Sequence, residues 1–258
     1  MRMDKLEQYI ADHRHIPICA GAEERKYKCP ECKDSGWIMV VKNGHETARK
    51  CRCYEVSQAR KLMEKSGISK EFRRKNFENF RVKNNAQLLN AKCKAIQYAE
   101  NFSMVEHEKY NSIMLRGQAG SGKTHLGTAI CGKLMDMGIA VVYMAYREAA
   151  TRIKQHITDA VEYDREMKRY MHARVLYIDD LLKGRITEAD INIMYEIVNY
   201  RYMNHLPVIV STEKSLDDLL LFDEAVGSRI IEMCRGNIIK LQGKELNYRL
   251  FGKEAESR

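Results

Sequence analysis

From about residue 85 to the C terminus, apolar positions switch between helical and strand spacing. Leu88, Ala95, Ile96, Ala99 and Phe102 recur on one helical face. Ser112-Ile113-Met114-Leu115 then reads as a short buried strand ending in a glycine loop. Leu126, Ile130, Leu134 and Met137 form the face of the next helix, which Gly138 stops. Further strands are predicted at Ile139 to Tyr143, Val175 to Ile178, Pro207 to Val210 and Ile238 to Leu241. Ile153, Ile157, Val161 and Met167 belong to one or two charged helices, and Ile191, Met194, Tyr195, Val198 and Tyr202 to another. Ser215 and Asp218 make a capping box for a short helix at Leu216 to Leu220. Strands alternating with helices imply right-handed crossovers and a parallel sheet covered on both faces, an α/β fold.

The chain before this region has a different character. Residues 1–54 hold a short helical start and then a cluster of cysteines. Residues 55–84 are rich in charge (Arg60, Lys61, Glu64, Lys65, Lys70, Glu71, Arg73, Arg74, Lys75) and read as a solvated helical linker broken near Ser66-Gly67. Three parts follow: 1–54, 55–84 and 85–258.

Composition narrows the class. Hydrophobic residues at 45% and charged ones at 31% suit a water-soluble globular chain, and no apolar run reaches the roughly 18–20 residues of a membrane span. The N terminus lacks a signal-peptide core, so a cytoplasmic protein with no membrane partner is expected. A net charge of +9 favours polyanionic partners, nucleic acid foremost, although a merely soluble basic surface has the same charge.

Gly117-Gln118-Ala119-Gly120-Ser121-Gly122-Lys123-Thr124 fits the phosphate-loop pattern, with a strand before it and a helix after it. Glycines let backbone N–H groups form a concave nest for phosphate, and the helix N terminus adds a favourable dipole. Gly117, Gly120, Ser121, Gly122, Lys123, Thr124 and the adjoining His125 are therefore the expected ATP contacts, with Lys123 on the β- and γ-phosphates and Thr124 on Mg²⁺. Asp179 at the end of the third strand would complete the magnesium shell, and Asp180 would orient the attacking water. Adjacent aspartates after a strand can also cap a helix. The fourth strand ends in Ser211-Thr212-Glu213, where Thr212 could sense the γ-phosphate.

Cys29-Pro30-Glu31-Cys32 and Cys51-Arg52-Cys53 pair a C-x₂-C with a C-x-C across 18 residues, and Asn43-Gly44 between them signals a hairpin. Two cysteine knuckles joined by a hairpin describe a zinc ribbon, with Cys29, Cys32, Cys51 and Cys53 closing a structural Zn²⁺ site; unrelated cysteines are the bland alternative. His45 and Cys19 lack the spacing for a ligand.

From Phe77-Glu78-Asn79-Phe80 through the phosphate loop and Ile178-Asp179-Asp180 to Gly227-Ser228-Arg229-Ile230 and Leu246-Asn247-Tyr248-Arg249-Leu250, the chain resembles AAA+ ATPases of the DnaC/DnaI helicase-loader type, with the IstB transposition helpers close by. Over roughly its last two thirds this resemblance implies a five-stranded sheet of order 5-1-4-3-2, and the cysteine segment looks like the zinc-binding domain of DnaI-type loaders. It also implies ATP sites completed by a neighbouring subunit. Arg229 matches the family's arginine-finger segment, and Arg249 its late arginine, a second-sensor position. Both could instead be ordinary surface arginines. Glu213 stands where the family's sensor is often Asn, and a carboxylate there would repel a γ-phosphate, implying slow, switch-like hydrolysis.

Relatives in the initiator branch place single-stranded DNA contacts between the second and third strands. Tyr146, Arg147, Arg152, Lys154 and His156 lie there, the bases to neutralise phosphates and Tyr146 to stack on a base. The resemblance thus implies an ATP-driven loader of a hexameric ring helicase onto DNA during replication initiation. A transposition or recombination accessory ATPase is the alternative. A nucleotide kinase fits worse, because a substrate-clamp signature is missing.

Overall fold

The computed structural model describes residues 27–42, 45–65, 74–82 and 84–251. The expected N-terminal helical start, Cys19, the Asn43-Gly44 turn and the break at Ser66-Gly67 lie outside the described residues. The chain divides into two compact units, residues 1–49 and 50–258.

In the first unit, β1 (Trp37–Lys42) and β2 (His45–Lys50) form a two-stranded sheet. A tight turn precedes it, in which Asp34 accepts the Cys29 N–H at 2.8 Å and the Lys28 N–H at 3.2 Å.

The second unit opens with α1 (Arg52–Lys65), whose Ala59 and Met63 are buried. The expectation of a wholly solvated connector therefore changes: two apolar residues four apart, Ala59 and Met63, give even this highly charged helix one inward stripe. Then follow α2 (Ala86–Val105), β3 (Ile113–Gly117), α3 (Lys123–Asp136), β4 (Val141–Ala145), α4 (Tyr146–Gln155), α5 (Ala160–Met171) and β5 (Val175–Leu181). The chain continues with α6 (Glu188–Met203), β6 (Val208–Thr212), α7 (Leu216–Phe222), α8 (Glu224–Met233), β7 (Ile238–Leu241) and a last turn, α9 (Tyr248–Phe251). Ser215 and Asp218 form the expected capping box of α7.

The sheet order is β4-β5-β6-β3-β7 with every pairing parallel; numbering these five strands alone, it reads 5-1-4-3-2, as the resemblance implied. Strand side chains alternate between two cores. Ile113, Leu115, Val141, Val175, Tyr177 and Ile209 face α1, α2 and α3. Met114, Val142, Met144, Leu176, Ile178, Val208 and Val210 face α4, α5, α6 and α8. Four strands run past their apolar patterns, β3 to Gly117, β4 to Ala145, β5 to Leu181 and β6 to Thr212. Polar residues such as Asp179 and Ser211 end the apolar run, while their backbones stay paired in the sheet.

The inward face of α6 also differs from the apolar stripe. Tyr195 is 41% exposed, whereas Arg201 is fully buried. Its guanidinium donates to the carbonyls of Tyr170 (2.9 Å), Met171 (3.1 Å) and Ala173 (2.8 Å) at the end of α5, and to Pro207 (2.7 Å) before β6. Helix C termini leave carbonyls without intrahelical partners and favour a cation. Arg201 thus ties the end of α5 to the entry of β6. Replacing it with Met should destabilise the domain by about 3 kcal/mol or more, since each buried carbonyl left unpaired costs roughly 1–3 kcal/mol. Arg201→Lys should recover only part, because an ammonium cannot span four acceptors in a planar fork. Urea unfolding of the three proteins measures both effects.

Candidate functional site

The loop between β3 and α3 sits near the middle of the sheet, with β3 flanked by β6 and β7. Gly122 takes φ 94°, and a Cβ on it would come within 2.8 Å of the Phe80 ring. Gly117 takes φ 145°, and a Cβ there would run into the Leu241 main chain. Both positions therefore require glycine. Gly122 is the N-cap of α3 and offers no side-chain cap, so the first-turn N–H groups stay available to an anion. Lys123 is only 4% exposed, and its Nζ donates to the Gln118 carbonyl at 2.8 Å. Burial lowers its pKa, while the charges of Glu213 and Asp180 act to raise it.

Thr124 and Asp179 meet across the sheet edge: the Thr124 hydroxyl donates to Asp179 Oδ1 at 3.0 Å. Asp179 is 5% exposed and accepts three further hydroxyls, from Tyr177 (2.8 Å), Tyr143 (3.0 Å) and Ser211. Burial first, and then the Asp179 charge, push both phenols above their ordinary pKa, so they remain donors. Tyr143 and Tyr177 are paired in register on adjacent strands, and their rings pack edge to face. These hydroxyls escaped the sequence reading because they sit inside apolar strand runs. Their one signal was a polar group two residues, or a strand, away from an acid.

A cleft of about 1050 Å³ opens over this point. Gly120, Ser121, Gly122, Lys123, Thr124, His125, Asp179, Asp180 and Arg249 all line it, together with Lys183, Glu213 and the Glu78–Arg81 segment. The terminal segment closes one side, where the Tyr248 N–H donates to the Gly120 carbonyl at 2.9 Å. The His125 ring turns toward that segment's neighbours: its Nε2 lies 2.9 Å from both Asn76 O and Asn79 Oδ1, with Phe80 edge-on. Gly117 shapes the loop from below without lining the cleft. Thr212 corrects an expectation. It is fully buried, and its hydroxyl donates to the Leu181 carbonyl at 2.8 Å, so Glu213 is the side chain that β6 presents to the cleft.

Arg229 lies on α8, apart from the residues lining the cleft. Its guanidinium stands over Tyr195 and Tyr202 of α6, 5.6 Å from each ring centre, and Nη1 donates to Ala225 O at 2.8 Å. The basic set between β4 and β5 is largely committed to the fold. Tyr146 is 3% exposed and cannot stack on a base. Arg152 binds Glu166 (3.0 Å) and the Tyr170 hydroxyl (2.8 Å), and Lys154 binds Asp190 at 2.8 Å. Arg147 is exposed at the cleft rim.

The sulfur atoms of Cys29, Cys32, Cys51 and Cys53 all lie within 4.8 Å of one another. A tetrahedral Zn²⁺ with Zn–S bonds near 2.3 Å has sulfur–sulfur edges of about 3.8 Å, so the donor set fits this ion. The Gly36 N–H points at Cys32 Sγ from 3.4 Å, a contact that stabilises a thiolate.

A phosphate loop on a central strand, an acid on a nearby strand tip and the 5-1-4-3-2 sheet define a P-loop ATPase core of the AAA+ class. The chain belongs to the IstB-like ATP-binding protein family, whose model matches residues 52–253. It is 35% identical over 242 residues to the phage-like element PBSX protein XkdC of Bacillus subtilis, covering 90% of each chain. It is 25% identical over 172 residues to the replicative helicase loader DnaC of Escherichia coli K12, covering 66% of this chain and 67% of that one. The crystal structure of DnaI has the same fold, with a TM-score of 0.55 at 19% identity, over 69% of this chain and 93% of that one. The resemblance drawn from the motifs is borne out. Among the described residues, no helix is long and apolar enough to cross a membrane.

The hydroxyl cage makes Tyr177→Phe informative. It should lower stability by about 1–2 kcal/mol, since it removes a hydrogen bond to a buried carboxylate. Thermal unfolding of this variant beside Tyr143→Phe, whose ring is partly exposed, should show the larger loss at Tyr177.

Proposed function

We propose that the chain is an ATP-dependent loader that delivers or remodels a replicative ring helicase on DNA during replication initiation. The observation that carries this reading is the Thr124–Asp179 contact beside Lys123, at the floor of the cleft, in a chain homologous to DnaC. Lys123 would hold the β- and γ-phosphate oxygens once it leaves Gln118, and the N–H groups from Gly120 to Thr124 would cradle them. Thr124 and Asp179 would hold Mg²⁺, which neutralises phosphate charge when bound. Asp180 would orient water, and Arg249 would face the phosphates from the terminal segment. Glu213 in the cleft wall favours slow, switch-like turnover.

Arg229 acts on a neighbouring subunit's nucleotide on this reading. Its stacking between two tyrosines preorganises the guanidinium on a helix apart from its own cleft, and ATP then joins protomers through self-association. Residues 1–54 serve as a zinc-ribbon module that docks the hexameric helicase, and 85–258 form the ATPase domain, against whose core Met63 of α1 packs. Single-stranded DNA would meet the exposed Arg147 rather than Tyr146. A transposition or recombination accessory role is the second reading, favoured by the IstB-like family match itself. Co-purification separates the two: a hexameric helicase supports the first, a transposase the second.

Lys123→Ala should lower ATP turnover by on the order of 100-fold or more. Arg229→Ala should keep nucleotide binding while losing ATP-stimulated assembly and turnover. Mixing the two variants should restore part of the activity, because some interfaces pair an intact Lys123 with an intact Arg229. A mixture that co-assembles yet stays inactive removes the trans role.

Metal analysis of the purified chain should find one zinc per chain. Cys29→Ser or Cys51→Ser should release it while ATP binding persists. Absence of zinc, with all four thiols titratable in the native protein, rejects the site.

A further inference from the structure

Just past Asp179 the backbone takes an unusual path. Asp180 has φ 55° and Leu182 φ 60°, left-handed values that non-glycine residues rarely adopt. The register of β5 against β6 slips between Ile178 and Leu181, which marks a bulge. Two hydrogen bonds hold it: the Asp180 N–H donates to Ser211 Oγ at 2.9 Å, and the Lys183 N–H to the Asp180 carbonyl at 3.1 Å. Strain of this kind persists only where its surroundings impose it, and it gathers at working sites.

The bulge brings three charges together on one wall of the cleft. Lys183 Nζ lies 2.7 Å from Asp180 Oδ2 and 3.6 Å from Glu213 Oε1, and all three residues line the cleft with Lys123 and Asp179. Their side chains are 45%, 37% and 37% exposed, so the triad is open to whatever enters. Pairs this exposed add little to stability. They do set local charge. Two carboxylates would make this wall repel a terminal phosphate, and one ammonium offsets half of their charge. The wall acts on the phosphate lysine as well: after burial, which lowers the Lys123 pKa, Glu213 and Asp180 raise it and Lys183 lowers it.

We propose that Lys183 is a specificity-determining residue that distinguishes ATP from ADP: it offsets Glu213 and masks Asp180 in the empty cleft, and turns to the γ-phosphate when a triphosphate binds. This rests on the nucleotide-site reading above. ADP presents no terminal phosphate to that wall and leaves the Lys183–Asp180 pair in place. A triphosphate offers Lys183 a stronger anionic partner, which its flexible, half-exposed stem can reach. Asp180 is then released from its ion pair as the triphosphate arrives, so an acid held idle in the empty protein becomes available to water. Glu213, which looked adverse to ATP, becomes half of a device that requires Lys183.

The test uses the full chain with Mg²⁺, measuring affinity for ADP and for a non-hydrolysable ATP analogue by calorimetry. Lys183→Ala should weaken the analogue on the order of tenfold, the size of a lost charge-assisted contact. ADP should change by less than about twofold, as expected for an exposed pair. Adding Glu213→Gln to Lys183→Ala should restore most of the analogue affinity, and Glu213→Gln alone should shift the preference further toward the analogue. Retained ADP binding shows that each variant is folded, and Glu213→Gln alone carries the test if Lys183→Ala does not fold. An unchanged analogue-to-ADP ratio in these variants, or no rescue by Glu213→Gln, overturns the role of Lys183 and leaves the site standing. Failure of the unsubstituted chain to bind either nucleotide overturns the site and this role together.

Discussion

Because the five strands of the central sheet run parallel, each but the last must be followed by a crossover that carries the chain back to the same starting edge. Every strand therefore ends on one side of the second unit. The phosphate loop follows β3, Asp179 lies in the last part of β5, Glu213 follows β6 and the terminal segment follows β7. Residues scattered over more than a hundred positions of sequence meet in one cleft for this reason alone. The strand order adds the rest. With β3 between β6 and β7, the loop is flanked on both sides by strand tips that can contribute a side chain.

A buried carboxylate at such a convergence must be satisfied without being spent. Asp179 is surrounded by hydroxyls rather than by cations. Hydroxyls hold the carboxylate in place and leave its negative charge uncompensated, which is what a divalent cation requires. The neighbouring Asp180 is treated differently: it faces the cleft in an ion pair with Lys183. Two adjacent acids thus receive opposite electrostatic surroundings, at the point where β5 slips in register against β6.

Arg201 and the cysteine cluster show the same economy in structural roles. Arg201 satisfies carbonyls that the end of α5 and the entry of β6 would otherwise bury unpaired. The cysteines gather where the two-stranded β1–β2 sheet has little apolar core of its own, every described residue of β2 being exposed.

Much of this was legible in the residues themselves. The period of apolar positions located five strands and most of the helices between them, α8 excepted, because a side chain buried in a sheet or on a helix face must repeat with the backbone's geometry. The phosphate loop was legible because only glycine serves where the backbone turns to positive φ against Phe80 or the Leu241 main chain. The cysteine spacing was legible because four ligands of one ion must stand at fixed distances. What the tertiary structure alone decided is how polar side chains are shared between distant segments. Apart from their distance of two residues or one strand from an acid, nothing about Tyr143, Tyr177 or Ser211 announces that they converge on Asp179, and Arg201 reads as one more surface charge on a helix of mixed pattern. Thr212 and Tyr146 looked available and are buried; Lys183 belongs to no motif and sits between two acids of the cleft. Periodicity reports which face a residue occupies, while a hydrogen bond or an ion pair depends on register, bulges and packing between elements, which local sequence does not encode.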